Sequence, residues 1–387
     1  MVNGALVVTR NFPPKIGGTC THFSNLYRRR DPNDLAILTG RADDANAFDL
    51  EFGREIVRAP FEPRSWTKPF EWIDVGLRRF PTARRIMKRR GFREIHCVST
   101  FPEGVVGLLA KKWMNARLVL WVLGEDAEFF RHCRVEAPIQ RWMMRAADKV
   151  IAVSENTARI CRELGATDAN LRLVPPGVDV TAFKPDPAGA ERVRQRHSIN
   201  GGPLLVTVGR LQKRKGHDRI LQSLPRIRRE HPHLKYLVVG DSTGAPASDA
   251  DDLRCLVDSL ELQETVTFVG SAPFNELPAY YSAADLFVMP NRQIGGDVEG
   301  FGITFLEAAA CGKTSVAGNS GGAVDAVLHD RTGLLVDGEN VDSVADGILK
   351  LLADPQRRRR LEAGAAQRVA EFSWDRIYER FETAIVD

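Results

Sequence analysis

Short apolar segments recur along this chain in two series, each segment followed by residues at helical spacing. The first series runs through the region of Leu6, Leu35–Ile37, Ile95–Val98, Leu118–Val122 and Val150–Val153. The second runs through Leu204–Val208, Tyr236–Val239, Val266–Val269 and Leu286–Met289. Residues 103–114 and 135–147 read as helices between such strands. Alternation of this kind is met by parallel sheets covered by helices on both faces. Pro175-Pro176-Gly177 and the polar stretch 185–202 break the pattern between the two series. A chain of 387 residues is long for one core and natural for two. The expectation is α/β, two doubly wound Rossmann-like domains over 1–184 and 185–370. A tail at 371–387, with Phe372, Ser373, Trp374, Ile377, Phe381 and Ile385, reads as an amphipathic helix started by Ser373.

In doubly wound sheets, ligands sit beyond the carboxyl ends of the strands. Three loops in that position carry chemistry. After Leu286–Met289 comes Asp297-Val298-Glu299-Gly300-Phe301-Gly302-Ile303-Thr304, then the helical run from Phe305 that contains Glu307. A Gly-rich loop ahead of a helix points free N–H groups at an anion, and the two glutamates suit hydroxyl groups beside it. Taken singly, each glutamate reads more readily as a solvated charge at a helix start. After Val206-Thr207-Val208 comes Gly209-Arg210 through Lys215-Gly216, offering a fork of donors and a point charge for a diphosphate. After Ala5–Thr9 comes Asn11-Phe12-Pro13-Pro14-Lys15-Ile16-Gly17-Gly18, where the glycines let backbone approach a ligand.

The six cysteines are scattered without Cys-x-x-Cys spacing, which argues against a zinc site or disulfide framework and for a reducing compartment. The histidines show no ligand spacing either, so no metal and no cofactor is expected. Met1 to Thr9 lacks the features of a signal peptide, and no apolar run is long enough to span a bilayer. The expected setting is cytoplasmic, at most peripheral at the inner face of the membrane.

These motifs, in this order, resemble the retaining nucleotide-sugar glycosyltransferases of the GT4 family. The resemblance rests on Gly17-Gly18, on Gly209-Arg210 with Lys215-Gly216, and on Glu299 with Glu307 eight positions on. Val174-Pro175-Pro176-Gly177-Val178-Asp179, Val239-Gly240-Asp241, Val266–Gly270 and Gly321-Gly322 match as well. The wording from Asn11 to Gly18 looks most like the phosphatidylinositol mannosyltransferase branch. The resemblance implies the GT-B fold, two domains facing a central cleft, with the C-terminal helix crossing back to the first. It also implies transfer of a hexose, with retention and without metal, from GDP-mannose or a UDP-sugar to a lipid-linked or glycan acceptor. Arg210 and Lys215 would neutralise the leaving diphosphate and Glu299 would hold the sugar. Glu307 would take the ribose, and backbone near Phe268 and Gly270 would frame the base. Amides of Gly17, Gly18, Gly209, Gly300, Phe301, Gly302, Ile303 and Thr304 would complete the donor site.

One position departs from the family pattern. Many relatives have a His-Gly step where this chain has Leu123-Gly124, followed by Glu125 and Asp126. Gly124, Glu125 and Asp126 then become the sugar or acceptor contacts, or simply helix N-terminal charges. A GT-B epimerase or hydrolase and a non-catalytic scaffold are the competing readings. The first would need a His and carboxylate set not found here, and the second has only Leu123 in its favour. A nicotinamide dehydrogenase is disfavoured because no Gly-x-Gly-x-x-Gly follows a strand.

Charge is divided unevenly. Residues 1–186 hold 30 Lys and Arg against 22 Asp and Glu, while the remainder holds 24 against 28. The excess concentrates in Arg78, Arg79, Arg84, Arg85, Lys88, Arg89, Arg90 and Arg93, with no acid between Leu77 and Arg93. Trp66, Phe70, Trp72, Phe80, Ile86, Met87 and Phe92 are interleaved. Such a run fits either an anionic membrane surface or a solvated helix face. Nucleic acid is not expected, since no reader motif accompanies the charge.

Overall fold

The computed structural model describes residues 4–15, 17–63, 70–242 and 247–386. The chain divides into two compact units, one of Met1–Pro176 with Trp374–Asp387 and the other of Gly177–Ser373. The division falls at Pro176–Gly177, inside the Pro-Pro-Gly break and upstream of the 184/185 boundary expected from sequence.

The first unit holds a seven-stranded sheet. Its strands are β1 (Ala5–Thr9), β2 (Leu35–Thr39), β3 (Glu55–Arg58), β4 (Glu94–Cys97), β5 (Arg117–Val122), β6 (Lys149–Ala152) and β7 (Leu171–Leu173). They lie in the order β3-β2-β1-β4-β5-β6-β7, every pair parallel. The second unit holds β8 (Leu204–Val208), β9 (Lys235–Val239), β10 (Val266–Gly270), β11 (Leu286–Met289), β12 (Ser315–Gly318) and β13 (Gly333–Val336). Their order is β10-β9-β8-β11-β12-β13, again all parallel. The central strands β1, β2, β4, β8 and β11 are buried throughout, as expected where helices cover both faces. Strand order reverses between β1 and β4 in one sheet and between β8 and β11 in the other. Doubly wound folds place their ligands at such switch points.

The C-terminal helix Trp374–Val386 belongs to the first unit. Trp374, Ile377, Phe381, Ala384 and Ile385 are buried, at the spacing of one helix face. The Phe381 ring lies 5.9 Å from Tyr27, 5.2 Å from Trp121 and 5.7 Å from His96. Arg29 donates to Asp375 at 2.8 Å, and Arg117 donates both to Glu94, at 2.5 Å, and to the Ile385 carbonyl. Among the described residues, no helix is long and apolar enough to cross a membrane.

The aromatic contacts around Phe381 set the strength of this attachment. Phe381→Ala leaves a cavity among three rings and should destabilise the first unit by roughly 3–5 kcal/mol. Urea unfolding with a near-ultraviolet probe checks this, and a loss under about 1 kcal/mol would mean the helix is held by its ion pairs alone.

Candidate functional site

Both switch points are flanked by the loops singled out in the sequence. In the second unit, the turn Lys213–Lys215 follows β8 and leads into the helix His217–Glu230. Gly216 makes the join at φ 77°, with its Cα so close to Pro290 that a Cβ would fall 2.3 Å from the Pro290 carbonyl oxygen. Only glycine meets both demands. Lys215 is thereby turned inward, where its ammonium donates to Glu299 Oε2 at 2.5 Å. Arg214 points the same way and donates to the same oxygen, and its Nε lies 2.7 Å from Asp297 Oδ1. Arg214, Lys215 and Glu299 are all buried. Burial works to raise the Glu299 pKa, but Arg214 and Lys215 outweigh it and hold the carboxylate down at about 2. Burial pushes Asp297 up, with Arg214 as the main opposing influence.

The loop after β11 is fixed by its own backbone. Gly322 donates to the Glu299 carbonyl at 2.8 Å. Gly302 adopts φ 88°, caps the helix Ile303–Ala310, and has no room for a Cβ against the Phe305 ring. No side chain caps this helix, so the amides of Ile303 and Thr304 stand at its start with the positive end of its dipole. Phe301 is buried against Phe372, with ring centroids 5.7 Å apart, so it offers backbone and not its ring. Glu307 is buried one turn into the helix and accepts a hydrogen bond from Tyr281 at 2.6 Å. Burial pushes its carboxyl up to about 7, although Tyr281 and Lys215 act to lower it.

The other expected donor residues are spread around this centre. Arg210 is exposed and, among the described residues, its side chain has no carboxylate within ion-pair distance. The His217 ring meets the Arg210 carbonyl at 3.3 Å. A Cβ at Gly209 would stand 3.7 Å from Lys215 Cε, an ordinary van der Waals contact. Phe268 and Gly270 close β10, and Gly240 donates to the Gly270 carbonyl at 2.8 Å.

In the first unit, Gly17 is exposed and caps the helix Gly18–Tyr27, with nothing within 4 Å of where its Cβ would stand. Gly124 starts the helix Glu125–Phe130 at φ 101°, and Glu125 is exposed. Asp126 is committed to the fold. It accepts from the Leu123 amide, the Ser99 hydroxyl and the Thr100 amide, each at 3.0 Å, tying the loop after β5 to the one after β4. As a sugar contact it has few lone pairs to spare.

The basic run forms the helix Glu71–Arg90. Phe80, Ile86, Met87 and Phe92 face the core and not solvent, contrary to their expected part in a membrane surface. Arg78 pairs with Asp74 at 2.8 Å, and Arg89 and Arg90 both pair with Glu55. The exposed residues of the helix include Arg84, Arg85 and Lys88 with Leu77, and Trp113 of the neighbouring helix lies 5.3 Å from Phe80 with 63% of its surface exposed. Trp66 lies outside the described residues.

Sequence reading missed Arg214, Asp297 and Tyr281. Arg214 looked like one more surface charge beside Lys215, and its burial depends on a loop 80 positions downstream. Among the described residues, no cluster of three or more His, Cys, Asp and Glu side chains could hold a metal ion.

Two family models match the chain, "Glycosyltransferase Family 4" over residues 16–182 and "Glycosyl transferases group 1" over residues 190–368. The chain is 34% identical over 385 residues to the GDP-mannose-dependent alpha-(1-6)-phosphatidylinositol monomannoside mannosyltransferase of Mycobacterium tuberculosis, covering 96% of this chain and 95% of the relative. It is 30% identical over 346 residues to the D-inositol 3-phosphate glycosyltransferase of Acidothermus cellulolyticus, covering 84% and 74%. In fold it is similar to Anabaena HepE, solved in complex with UDP and glucose, with a TM-score of 0.83 and 18% identity across the whole of both chains.

Glu307 gives this site a pH signature. Its folded pKa lies above the ordinary carboxyl value, so the folded state holds a proton that the unfolded chain releases. Stability from this group is therefore full at acid pH and is lost as pH rises towards about 7. Glu307→Gln keeps the Tyr281 hydrogen bond and removes the charge. It should raise stability at pH 8 by on the order of 1–3 kcal/mol and change little at pH 5. Thermal melts of both proteins across that range check it, and an equal effect at both ends would refute it.

Proposed function

Since the chain belongs to glycosyltransferase family 4, we propose that it moves mannose from GDP-mannose to a hydroxyl of a phosphatidylinositol-based glycolipid, with retention of configuration and without a metal ion. The observation that carries this reading is the buried Lys215–Glu299 pair at the switch point of the second sheet, just ahead of an uncapped helix N-terminus. A cation, a carboxylate and free amides converge there, as a diphosphate joined to a sugar requires.

In this reading the protein supplies electrostatics and position, not a nucleophile. Lys215 and Arg210 meet the charge that develops on the departing diphosphate, aided by the amides of Gly302, Ile303 and Thr304. Glu299 accepts from hydroxyls of the sugar, and Glu307 accepts from the ribose. The acceptor hydroxyl attacks from the face the diphosphate leaves, and a phosphate oxygen takes its proton. Leu123 brings no hydrogen-bonding side chain to the position where many relatives carry His.

A thermal-shift panel of GDP, UDP, ADP and their hexose derivatives tests the donor. GDP and GDP-mannose should give the largest rise in melting temperature, since a ligand of the folded state stabilises by mass action. Arg210→Ala should lower kcat by roughly 10²-fold with little loss of stability, because the residue is exposed. The acceptor is tested with phosphatidylinositol monomannoside against D-inositol 3-phosphate, which the Acidothermus relative's name favours. A chain that no nucleoside diphosphate stabilises would overturn the reading.

A glycolipid acceptor calls for contact with a membrane surface, for which we propose the exposed face of the helix Glu71–Arg90. Arg84, Arg85 and Lys88 offer charge, and Leu77 and Trp113 offer apolar contact. Each basic residue near an anionic surface contributes about 1 kcal/mol. Co-sedimentation with anionic vesicles should weaken as salt rises, and replacing Arg84, Arg85 and Lys88 by Gln should release the protein. Replacing Arg89 and Arg90 should affect docking less, since Glu55 already neutralises them in part. Equal binding to neutral and anionic vesicles would rule out this face.

A further inference from the structure

We propose that Arg214, backed by Asp297, is a positioning residue that keeps Glu299 in place while Lys215 turns from that carboxylate to the donor's diphosphate. This role rests on the nucleotide-sugar reading of the site. Lys215 has one ammonium and two anionic claims upon it. In the structure the ammonium is spent on Glu299 Oε2, at 2.5 Å. When a diphosphate draws it away, Glu299 would be left as a buried carboxylate with no cation, a state that proteins avoid by protonation or by movement of the side chain.

Arg214 removes that difficulty. Its guanidinium donates to the same Glu299 oxygen, so the carboxylate keeps a cation whichever way Lys215 turns. A planar fork can serve two carboxylates at once, and the Nε side of Arg214 lies 2.7 Å from Asp297 Oδ1. Asp297 is held in turn by a tight turn through Gly295 and Gly296, in which Ile294 and Asp297 exchange backbone hydrogen bonds at 3.0 and 2.9 Å. The Arg214 carbonyl accepts from the Arg292 amide at 2.8 Å, and Arg292 clasps Asp218 with two bonds of 2.9 and 2.8 Å. The loops after β8 and β11 are thus stitched together on both sides of Arg214. The charged groups facing Glu299 are Arg214 and Lys215 from one loop and Asp297 from its own. Glu307, on the helix behind, and the exposed Arg210 each interact with Lys215. Arg214 and Lys215 are the two that favour its ionised form.

The full chain with GDP, GDP-mannose and a glycolipid acceptor provides the test, using Arg214→Gln, Arg214→Lys and Asp297→Asn. Arg214→Gln should spare binding of GDP, lose the extra affinity for GDP-mannose, and lower kcat by roughly 10²-fold. Beyond the titration of Glu307, which the parent shares, it should also give kcat/KM a further acid limb at about pH 5–7, because Glu299 has lost its permanent counter-charge. Arg214→Lys should recover part of kcat and move the limb back down. Asp297→Asn, the milder change, should give the same limb with a smaller loss. The proposal is overturned if Arg214→Gln turns over with the parent's kcat and pH profile. It is equally overturned if that variant only lowers the folded fraction, the remainder behaving as the parent does, with Asp297→Asn unchanged. A parent that binds neither GDP nor GDP-mannose would overturn the functional reading, and this role with it.

Discussion

Burying an ionised Glu299 is the demand that organises the second unit. A carboxylate out of water is tolerated only with charged partners close by and well aimed. Two cations supply this, and both come from the loop after the neighbouring strand. That loop must therefore turn its charges inward, which Gly216 permits by lying against Pro290 with a left-handed backbone. The opposite loop must hold Glu299 rigidly, which Gly321 and Gly322 permit by leaving space for the carbonyls of Glu299 and Gly300. Gly216, Gly321 and Gly322 thus serve one electrostatic requirement. The adjacency of β8 and β11 makes it possible for loops so distant in sequence to meet.

The two glutamates eight positions apart look alike in sequence and behave in opposite ways in the fold. Glu299 has two cations within bonding distance and is held ionised, while Glu307 has a tyrosine hydroxyl and a more distant ammonium and is pushed towards neutrality. Environment separates their roles, as it does wherever neighbouring carboxyls divide work. A permanently charged group suits the part of a ligand where charge develops during reaction. A group titrating near neutrality suits hydroxyls that accept or donate with equal ease.

Much of the fold was legible because buried parallel strands are apolar along their whole length. Every interior strand except Ser315–Gly318 stood out for that reason, as did the amphipathic tail. Four strands were missed. Glu55–Arg58 and Leu171–Leu173 lie at edges of their sheet, where half the surface needs no apolar side chain. Ser315–Gly318 is built of small residues, and Gly333–Val336 is short and lies at an edge. Within the site, Lys215, Glu299 and Glu307 were legible as a set of loops in strand-end positions. Arg214 was not, since a run of Lys-Arg-Lys carries no mark of which member is inside. Tyr281 was not, because a short apolar helix with two adjacent tyrosines reads as core.

The same reason explains why the basic helix was only partly legible. A run of eight cations without an acid looks uniform, but charge in a folded protein is counted against partners from anywhere in the chain. Glu55, on an edge strand the sequence did not reveal, neutralises two of the eight, and Asp74 takes a third. The aromatic residues between them follow helical spacing into the core, which pairing in sequence could not distinguish from spacing towards a membrane. Of the other five, Arg79 is half-buried and Arg93 lies past the end of the helix, which leaves on its exposed face a narrower stripe of Arg84, Arg85 and Lys88, flanked by Leu77 and by a tryptophan from another helix. A stripe of that size favours reversible contact over anchoring. Three cations contribute a few kcal/mol at low salt and less at physiological ionic strength. Under the proposed transfer to a membrane lipid, binding of that order leaves the product free to go, because tighter attachment would slow its release.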